Sequence, residues 1–133
     1  METHHKIAGI IIRNKKLLMC RKYDEPHFIM PGGKLESGET PKRRLEIELK
    51  EEIGLKLVDM KYWNTYQAVH FKDKNKLIVM ETYLISAIGN PKPGNEINEL
   101  KWVDSSYKKQ RIKLASINED YLIPELKNFS LID

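Results

Sequence analysis

Two apolar runs rich in β-branched residues stand near the start of the chain. Residues 6–22 read KIAGIIIRNKKLLMCRK, and the polar triplet at residues 13–15 separates the runs. β-branched residues favour strands, and the asparagine of the triplet tolerates the backbone conformations of tight turns. We therefore predict two strands joined by a turn at residues 13–15. The run FIM at residues 28–30 predicts a short strand end before a glycine-containing loop.

A different spacing of apolar residues follows in residues 40–55, TPKRRLEIELKEEIGL. The apolar residues recur every four positions, and at about 100° per residue they form one narrow stripe on a helix. The stripe consists of Leu45, Leu49 and Ile53. Thr40 can cap the N-terminus, Pro41 suits the first helical position, and Gly54 suits the residue just past the C-terminus. We predict a helix that packs its stripe on a sheet.

The second half of the chain contains two long runs of aromatic and β-branched residues. They occupy residues 55–71 and 76–88, with the polar segment KDKN between them, and predict a hairpin of long strands. Residues 99–104 predict a further short strand. The tail at residues 116–129 predicts a helix that Pro124 interrupts unless this proline begins a second turn. Strands on both sides of one strong helix, followed by a terminal helix, predict a mixed α/β domain.

Length, charge and cysteine content narrow the class of protein. The 133 residues suit a single domain, 1–133, and the apolar runs are too short to span a bilayer. Lysine and arginine number 23 against 19 acidic residues, but they are scattered, so we expect no stable nucleic-acid complex. The modest positive charge is interpreted first as a solvated surface, and the alternative is a weak attraction for polyanions, which include phosphate-bearing small molecules. A single cysteine, Cys20, cannot form an internal disulfide, so we expect a reducing, cytoplasmic location.

Three glutamates share a second face of the predicted helix. Glu48, Glu51 and Glu52 are mutual neighbours at helical spacing, and like charges so placed repel one another near a helix C-terminus that disfavours anions. A divalent cation would reverse both effects, and dense carboxylate oxygens suit Mg²⁺ or Mn²⁺ better than Zn²⁺. The alternative is a solvated acidic face, balanced by the basic residues of the same helix.

The loop before the helix strengthens the metal interpretation. Residues 31–39, PGGKLESGE, contain three glycines, which allow the backbone to approach another group closely. Lys34 adds a positive charge. A glycine-rich backbone, a lysine and a carboxylate-bound divalent metal together are suited to holding a diphosphate.

This loop and helix resemble the signature of the Nudix hydrolases, here at residues 33–55. The signature runs Gly, five residues, Glu, seven residues, Arg-Glu, an aliphatic, any residue, Glu-Glu, any residue, Gly and an aliphatic. The matching positions are Gly33, Glu39, Glu48, Leu49, Glu51, Glu52, Gly54 and Leu55. The resemblance implies an α/β/α sandwich with a mixed β-sheet, a signature loop–helix–loop, and hydrolysis of a nucleoside diphosphate linked to a further group.

The resemblance also implies roles for individual residues. The three helix glutamates and the carbonyl of Gly32 would hold Mg²⁺, or Mn²⁺ in its place, and one carboxylate would position or deprotonate the attacking water. An acid from the distal stretch NEINELKW would complete the site, with Glu96 favoured over Glu99. Glu39 would brace the loop.

The chain departs from the signature at one position, where Ile47 replaces the arginine. In the family this arginine orients the catalytic glutamates by ion pairs. On the helical wheel Arg44 falls between Glu51 and Glu48, so we hypothesise that Arg44 supplies the guanidinium from one turn earlier, by pairing with Glu48. Arg44 as a simple surface cation is the alternative.

Four residues are candidates for contact with the substrate: Gly33, Lys34, Phe28 and Glu39. Phe28 could instead pack in the core. The expected activity is Mg²⁺-dependent hydrolysis of the pyrophosphate bond of a nucleoside triphosphate or related nucleotide, as in sanitising of the nucleotide pool. The alternatives are a nucleotide-binding module weakened by Ile47 and a hydrolase of a non-nucleotide diphosphate. The partner would be a small-molecule nucleotide, with no membrane association, and the chain would be a monomer or a homodimer.

Overall fold

Seven strands and two helices make up the fold in a computed structural model that describes residues 1–70 and 72–133. The strands are β1 (Glu2–Ile10), β2 (Ile12–Arg13), β3 (Lys16–Lys22), β4 (Gly32–Lys34), β5 (Lys56–Val69), β6 (Lys76–Ile88) and β7 (Ile97–Val103). The helices are α1 (Pro41–Ile53) and α2 (Ile123–Asn128), the latter preceded by a π-helical turn at Asn118–Leu122. The predicted end of the β5 run at Phe71 lies outside the described residues.

The strands form two sheets. The larger sheet has the order β4-β1-β6-β5 and is mixed, because β1 and β6 run parallel while the other neighbours are antiparallel. The smaller sheet, β2-β3-β7, is antiparallel. The long β5–β6 hairpin confirms the prediction from residues 55–71 and 76–88.

The predicted turn at residues 13–15 is present but joins different strands from those expected. Asn14 and Lys15 have φ values of 53° and 60°, and the turn connects β2 to β3 in the smaller sheet. The first apolar run does not pair with the second along its length, because the chain leaves the larger sheet after Ile10. Buried residues continue through Ile11, so the first apolar run contributes β1 to the larger sheet and then β2 to the smaller sheet.

Helix α1 begins and ends as predicted. The Arg43 N–H donates to Thr40 Oγ1 at 3.1 Å, and Gly54 takes the left-handed conformation with φ 69° after the last turn. Leu45, Leu49 and Ile53 are fully buried. The stripe packs toward the larger sheet, where Gly9 admits the close approach of Leu45 and Ile85.

The opposite face of the larger sheet is covered by the C-terminal segment. The Trp63 and Phe129 rings meet edge to face at 5.3 Å, and Glu125 accepts hydrogen bonds from Asn64 Nδ2 at 3.0 Å and Tyr66 Oη at 2.9 Å. The predicted helical tail is present, since residues 116–128 are helical throughout, with a π-helical turn at Asn118–Leu122. Pro124 lies in the first turn of α2 and does not interrupt the segment. Helical layers on both faces of the sheet confirm the α/β/α class. Among the described residues, no helix has the length and apolar character needed to cross a bilayer.

Candidate active site

A cavity of about 560 Å³ lies on the face of the larger sheet that the C-terminal segment covers. Its floor crosses the sheet from β4 through β1 and β6 to β5, and one edge is formed by α1. Glu48, Glu51 and Glu52 line the end next to α1. Apolar side chains are most frequent away from α1, in the part called here the apolar end: Ile29, Ala68, Ile78, Met80, Ala115 and Ile117. His27, His70 and the ion pair between Glu25 and Lys72 also belong to the lining. The cavity therefore has an acidic end and an apolar end.

Glu52 occupies the most enclosed position of the three glutamates. It is 7% exposed, and its Oε1 accepts the Gly32 N–H at 3.1 Å. Burial raises the pKa of the Glu52 carboxyl to about 7, and the negative charge of Glu48 adds to the shift, against the opposing effect of the Gly32 N–H. Glu51 is exposed at the rim. The sequence-based prediction that these glutamates share one face is confirmed.

Arg44 joins the loop before α1 to the first of these glutamates. Its Nη1 donates to Glu48 Oε1 at 2.8 Å, while Nε and Nη2 donate to the two carboxylate oxygens of Glu39 at 3.0 and 2.6 Å. The side chain is 15% exposed, and its hydrogen bonds hold the pKa of Glu39 below the usual range. The hypothesised ion pair between Arg44 and Glu48 is therefore present. Ile47 lies in a separate surface depression beside Lys50 and Leu57.

Glu39 also braces its own loop, as its Oε1 accepts the Glu36 N–H at 3.0 Å. It pairs with Arg44 behind the cavity, so the structure does not bring it to the candidate substrate surface.

Gly32 and Gly33, the first two residues of β4, lie where no side chain would fit. A Cβ on Gly33 would stand 2.6 Å from Glu48 Oε1, and one on Gly32, whose φ is 149°, would stand 2.0 Å from the Ile7 carbonyl oxygen. Glycine at both positions lets β4 run directly against the Glu48 carboxylate and against β1.

A second glycine-containing loop is tied to the end of α1. The Gly94 N–H donates to the Glu52 carbonyl at 2.8 Å, and a Cβ on Gly94 would stand 2.5 Å from the Glu51 carbonyl oxygen. This contact brings Glu96 to the cavity, where it is 78% exposed and lies 3.7 Å from Lys22 Nζ. Glu99 does not line the cavity, and its Oε1 lies 3.2 Å from Arg21 Nη2. The structure thus favours Glu96 as the distal acid.

Two of the four candidate substrate contacts, Gly33 and Lys34, line the cavity. Phe28 does not. It is 4% exposed, packs in the core, and has the Arg21 guanidinium 5.9 Å from its ring centre. We therefore remove Phe28 from the candidate substrate contacts, because an aromatic ring already enclosed by the core has no face to offer a base.

Several cavity residues were missed by the sequence analysis, and two of them carry polar groups that bear on ligand binding. Lys6 lines the cavity floor, and its Nζ donates to the Met30 carbonyl at 3.0 Å. Its position could have been noticed, because strand alternation places it on the same face as the buried Ala8 and Ile10. Burial lowers the pKa of the Lys6 ammonium, while the charges of Glu52 and Glu48 oppose the shift.

Asn118 is the second of these two residues. It lies at the start of the π-helical turn, is 1% exposed, and lines the cavity. Its Oδ1 has no hydrogen-bond partner among the described residues. A buried amide oxygen without a partner costs free energy, roughly 1–3 kcal/mol. Nothing in the local sequence marks this asparagine, because its burial depends on the packing of distant strands.

The donor chemistry at the acidic end fits a hard divalent cation. Carboxylate and backbone carbonyl oxygens are the ligands that Mg²⁺ and Mn²⁺ prefer. Within residues 1–70 and 72–133, no three acidic, histidine or cysteine side chains already converge as a formed metal centre. Glu48 and Glu52 each give one oxygen to an internal hydrogen bond, so the second oxygen of each carboxylate would serve a metal.

Comparison with known proteins agrees with this geometry. The NUDIX domain family model matches residues 3–121, so the chain belongs to the Nudix hydrolase family and is a hydrolase. The 8-oxo-dGTP diphosphatase of Haemophilus influenzae is 33% identical over 106 residues, which cover 74% of this chain and 75% of that protein. The ADP-ribose pyrophosphatase of Methanocaldococcus jannaschii is 26% identical over 121 residues, or 87% of this chain and 71% of that protein.

Solved structures share the fold. A NUDIX hydrolase from Nitrosomonas europaea superposes with a TM-score of 0.72 at 15% identity, covering 96% of this chain and 87% of that one. A MutT NUDIX hydrolase from Burkholderia pseudomallei gives a TM-score of 0.67 at 20% identity, covering 77% of this chain and 83% of that one. At these identities the similarity establishes the architecture alone.

Proposed function

We propose that the protein hydrolyses the pyrophosphate bond of a nucleoside triphosphate or related nucleoside diphosphate compound, with Mg²⁺ as the metal and Mn²⁺ as a substitute. One observation carries the proposal. A single cavity is lined by the three glutamates of α1 and by Asn118, whose buried amide oxygen has no hydrogen-bond partner in the described part of the chain. A nucleotide has matching ends, since its phosphates need cations and its base offers N–H donors.

The residues at the acidic end have different roles in this proposal. Glu48, Glu51, Glu52, the Gly32 carbonyl and Glu96 would hold the metal, which neutralises charge on the phosphates when bound. One of these carboxylates accepts the proton of the attacking water. Gly33 and Lys34 border the same end and would contact phosphate oxygens. Arg44 holds the Glu48 carboxylate in place and is a positioning residue.

The apolar end suits a nucleobase. Asn118 Oδ1 accepts a hydrogen bond from a base N–H, which would relieve the cost of its burial. The aliphatic walls would pack against the flat faces of the base. Guanine-type bases present adjacent N–H donors, and the similarity to the 8-oxo-dGTP diphosphatase of H. influenzae supports a role in sanitising the nucleotide pool. The cytoplasm, where these nucleotides occur, is the proposed location.

A panel of nucleotides with Mg²⁺ tests this function by release of phosphate or pyrophosphate. Glu51→Gln and Glu52→Gln should abolish turnover while leaving thermal unfolding without metal unchanged or improved, since each removes one of several clustered anions. Nucleotide binding without turnover by the wild-type protein, with Mg²⁺ or Mn²⁺ and also at alkaline pH, would contradict hydrolysis.

That result would instead favour a nucleotide-binding module, the candidate to which the replacement of the signature arginine by Ile47 points. Turnover confined to non-nucleotide diphosphates in the same panel would point to the third candidate.

A further inference from the structure

Lys6 lies on the face of β1 that points toward the buried core. Successive residues of a strand alternate between faces, so Lys6 shares its face with Ala8 and Ile10, both buried. A partly buried ammonium carries a desolvation cost unless it meets hydrogen-bond acceptors or anions. Among the described residues its hydrogen-bond partner is the Met30 carbonyl oxygen at 3.0 Å, which occupies one of three N–H donors. The other donors remain for a ligand in the cavity.

The strand order places Lys6 between the two ends of the cavity. β1 lies between β4 and β6, and Lys6 is in register with Lys34 on one side and Met80 on the other. On one side, Gly32 of β4 donates its N–H to Glu52 of α1, and beyond β6 on the other side Ala68 and Val69 of β5 line the cavity. A ligand that reaches from the glutamates to the apolar end therefore crosses β1, where Lys6 and His4 line the floor.

We propose that Lys6 binds the phosphate chain of the nucleotide, at the oxygens that lie between the metal-binding carboxylates and the nucleobase. This inference rests on the proposed function and adds a residue to it. Glu52 and Glu48 act on Lys6 electrostatically, but their charges offset the burial of the ammonium only in part. When a metal takes up the charge of these carboxylates, the phosphate chain supplies the anion that Lys6 then needs.

A counter-ion role for Lys6 alone makes a different prediction from phosphate binding. If the ammonium only balances the charges of Glu52 and Glu48, its removal should change the affinity for the metal and leave the affinity for diphosphate unchanged. If it binds phosphate, its removal should weaken diphosphate binding, while the metal binds as well as before or more tightly because a nearby cation is gone.

The test uses Lys6→Gln, which keeps an N–H donor without the charge, and Lys6→Met, which removes both. Calorimetric titration of methylenediphosphonate at saturating Mg²⁺ should show affinity reduced about tenfold or more in both variants, the effect of losing one charge-assisted hydrogen bond. Mn²⁺ titration followed by electron paramagnetic resonance, without diphosphate, should show unchanged or tighter binding. Lys109→Gln, which removes one exposed positive charge far from the cavity, is the matched control.

Wild-type diphosphate affinity in both Lys6 variants would overturn the inference, as would parallel losses of Mn²⁺ and diphosphate affinity, which indicate local misfolding around Met30. A loss of diphosphate affinity in Lys6→Met but not in Lys6→Gln would show that Lys6 acts through its hydrogen bond to Met30, and it would also overturn the inference. Neither titration requires turnover. A failure here is therefore distinguishable from a failure of the nucleotide panel, which measures hydrolysis.

Discussion

At the scale of single residues, Arg44 shows how one guanidinium can act from a neighbouring helical turn. Residues four apart on a helix lie on the same face, so the side chain at position 44 is a surface neighbour of Glu48, one turn earlier. A side chain at 47 is turned about 100° away from Glu48. Arg44 bonds Glu39 with two nitrogens and Glu48 with a third, and this fork geometry is specific to arginine. The replacement of the signature arginine by Ile47 therefore leaves the glutamate tethered.

Removing this tether should weaken metal binding and catalysis together. We expect Arg44→Ala to lower kcat/KM and Mn²⁺ affinity by roughly 10- to 100-fold, because Glu48 would no longer be oriented. Arg44→Lys should recover only part of the lost activity and affinity, because lysine lacks the planar fork that bonds Glu39 and Glu48 together. Steady-state kinetics and Mn²⁺ titration measure both quantities.

Arg43→Ala provides the control, since Arg43 is exposed and takes part in the helix cap only through its backbone N–H. If Arg44→Ala matches this control in turnover and in metal affinity, Arg44 is a surface cation and the tether has no functional role.

At the scale of elements, α1 is the part whose local sequence agrees most completely with its structure. The cap at Thr40, the proline in the first turn and the left-handed Gly54 all support the same helix boundaries. Its buried stripe fixes which face packs on the sheet, and the glutamate face follows from that orientation. The stability of α1 is thus linked to the geometry of the acidic end of the cavity.

Loss of the N-terminal cap should destabilise the protein modestly. Thr40→Ala leaves the Arg43 N–H without its side-chain acceptor, and we expect the free energy of unfolding to fall by about 1 kcal/mol. Thr40→Ser should stay close to wild type because its hydroxyl accepts the same hydrogen bond. Urea denaturation followed by circular dichroism measures the difference. Equal stability of the alanine and serine variants would show that the cap contributes nothing measurable.

At the scale of the whole molecule, an acidic residue after β7 fastens β3 of the smaller sheet to the segment that follows β7, beside the last residues of the chain. Asp104 accepts hydrogen bonds from Lys16 Nζ at 3.0 Å, the Ser106 N–H at 2.9 Å and the Ser106 hydroxyl at 2.5 Å. The neighbouring Ser105 N–H donates to the Asp133 carbonyl at 2.8 Å. The Ser106 hydroxyl and N–H, with Lys16, lower the pKa of Asp104 to about 2.

This shift makes the global stability depend on pH in a defined direction. The pKa of Asp104 is lower in the folded state than the value near 3.9 of an unperturbed aspartate, so its stabilisation is complete above about pH 4 and is lost as the pH falls toward about 2. We expect Asp104→Asn to reduce the free energy of unfolding by roughly 1–2 kcal/mol near neutral pH. The difference from wild type should shrink on acidification through this window.

Urea denaturation at a series of pH values measures the difference, with the exposed Asp24→Asn as the matched control. A wild-type minus Asp104→Asn difference that stays constant between about pH 4 and pH 2 would contradict the assignment.

Elements with local signals could be predicted from the amino-acid sequence alone. The limits of α1, its buried stripe, the shared face of Glu48, Glu51 and Glu52, and the pairing of Arg44 with Glu48 all follow from the fixed 3.6-residue period of a helix. The long β5–β6 hairpin was predictable for a similar reason, since its two strands are adjacent in the chain. The family followed from the same local segment, because its signature lies within one loop and one helix.

The residues from distant segments that complete the cavity could be identified only from the packing of the fold. Lys6 and Asn118 come from opposite ends of the chain, and both line the cavity because β1 pairs in parallel with β6 while the C-terminal segment covers that face. The same packing enclosed Phe28 in the core and brought Glu96, rather than Glu99, to the acidic end. Strand order and the burial of a side chain depend on contacts between remote residues. The spacing of residues along the chain carries no record of them.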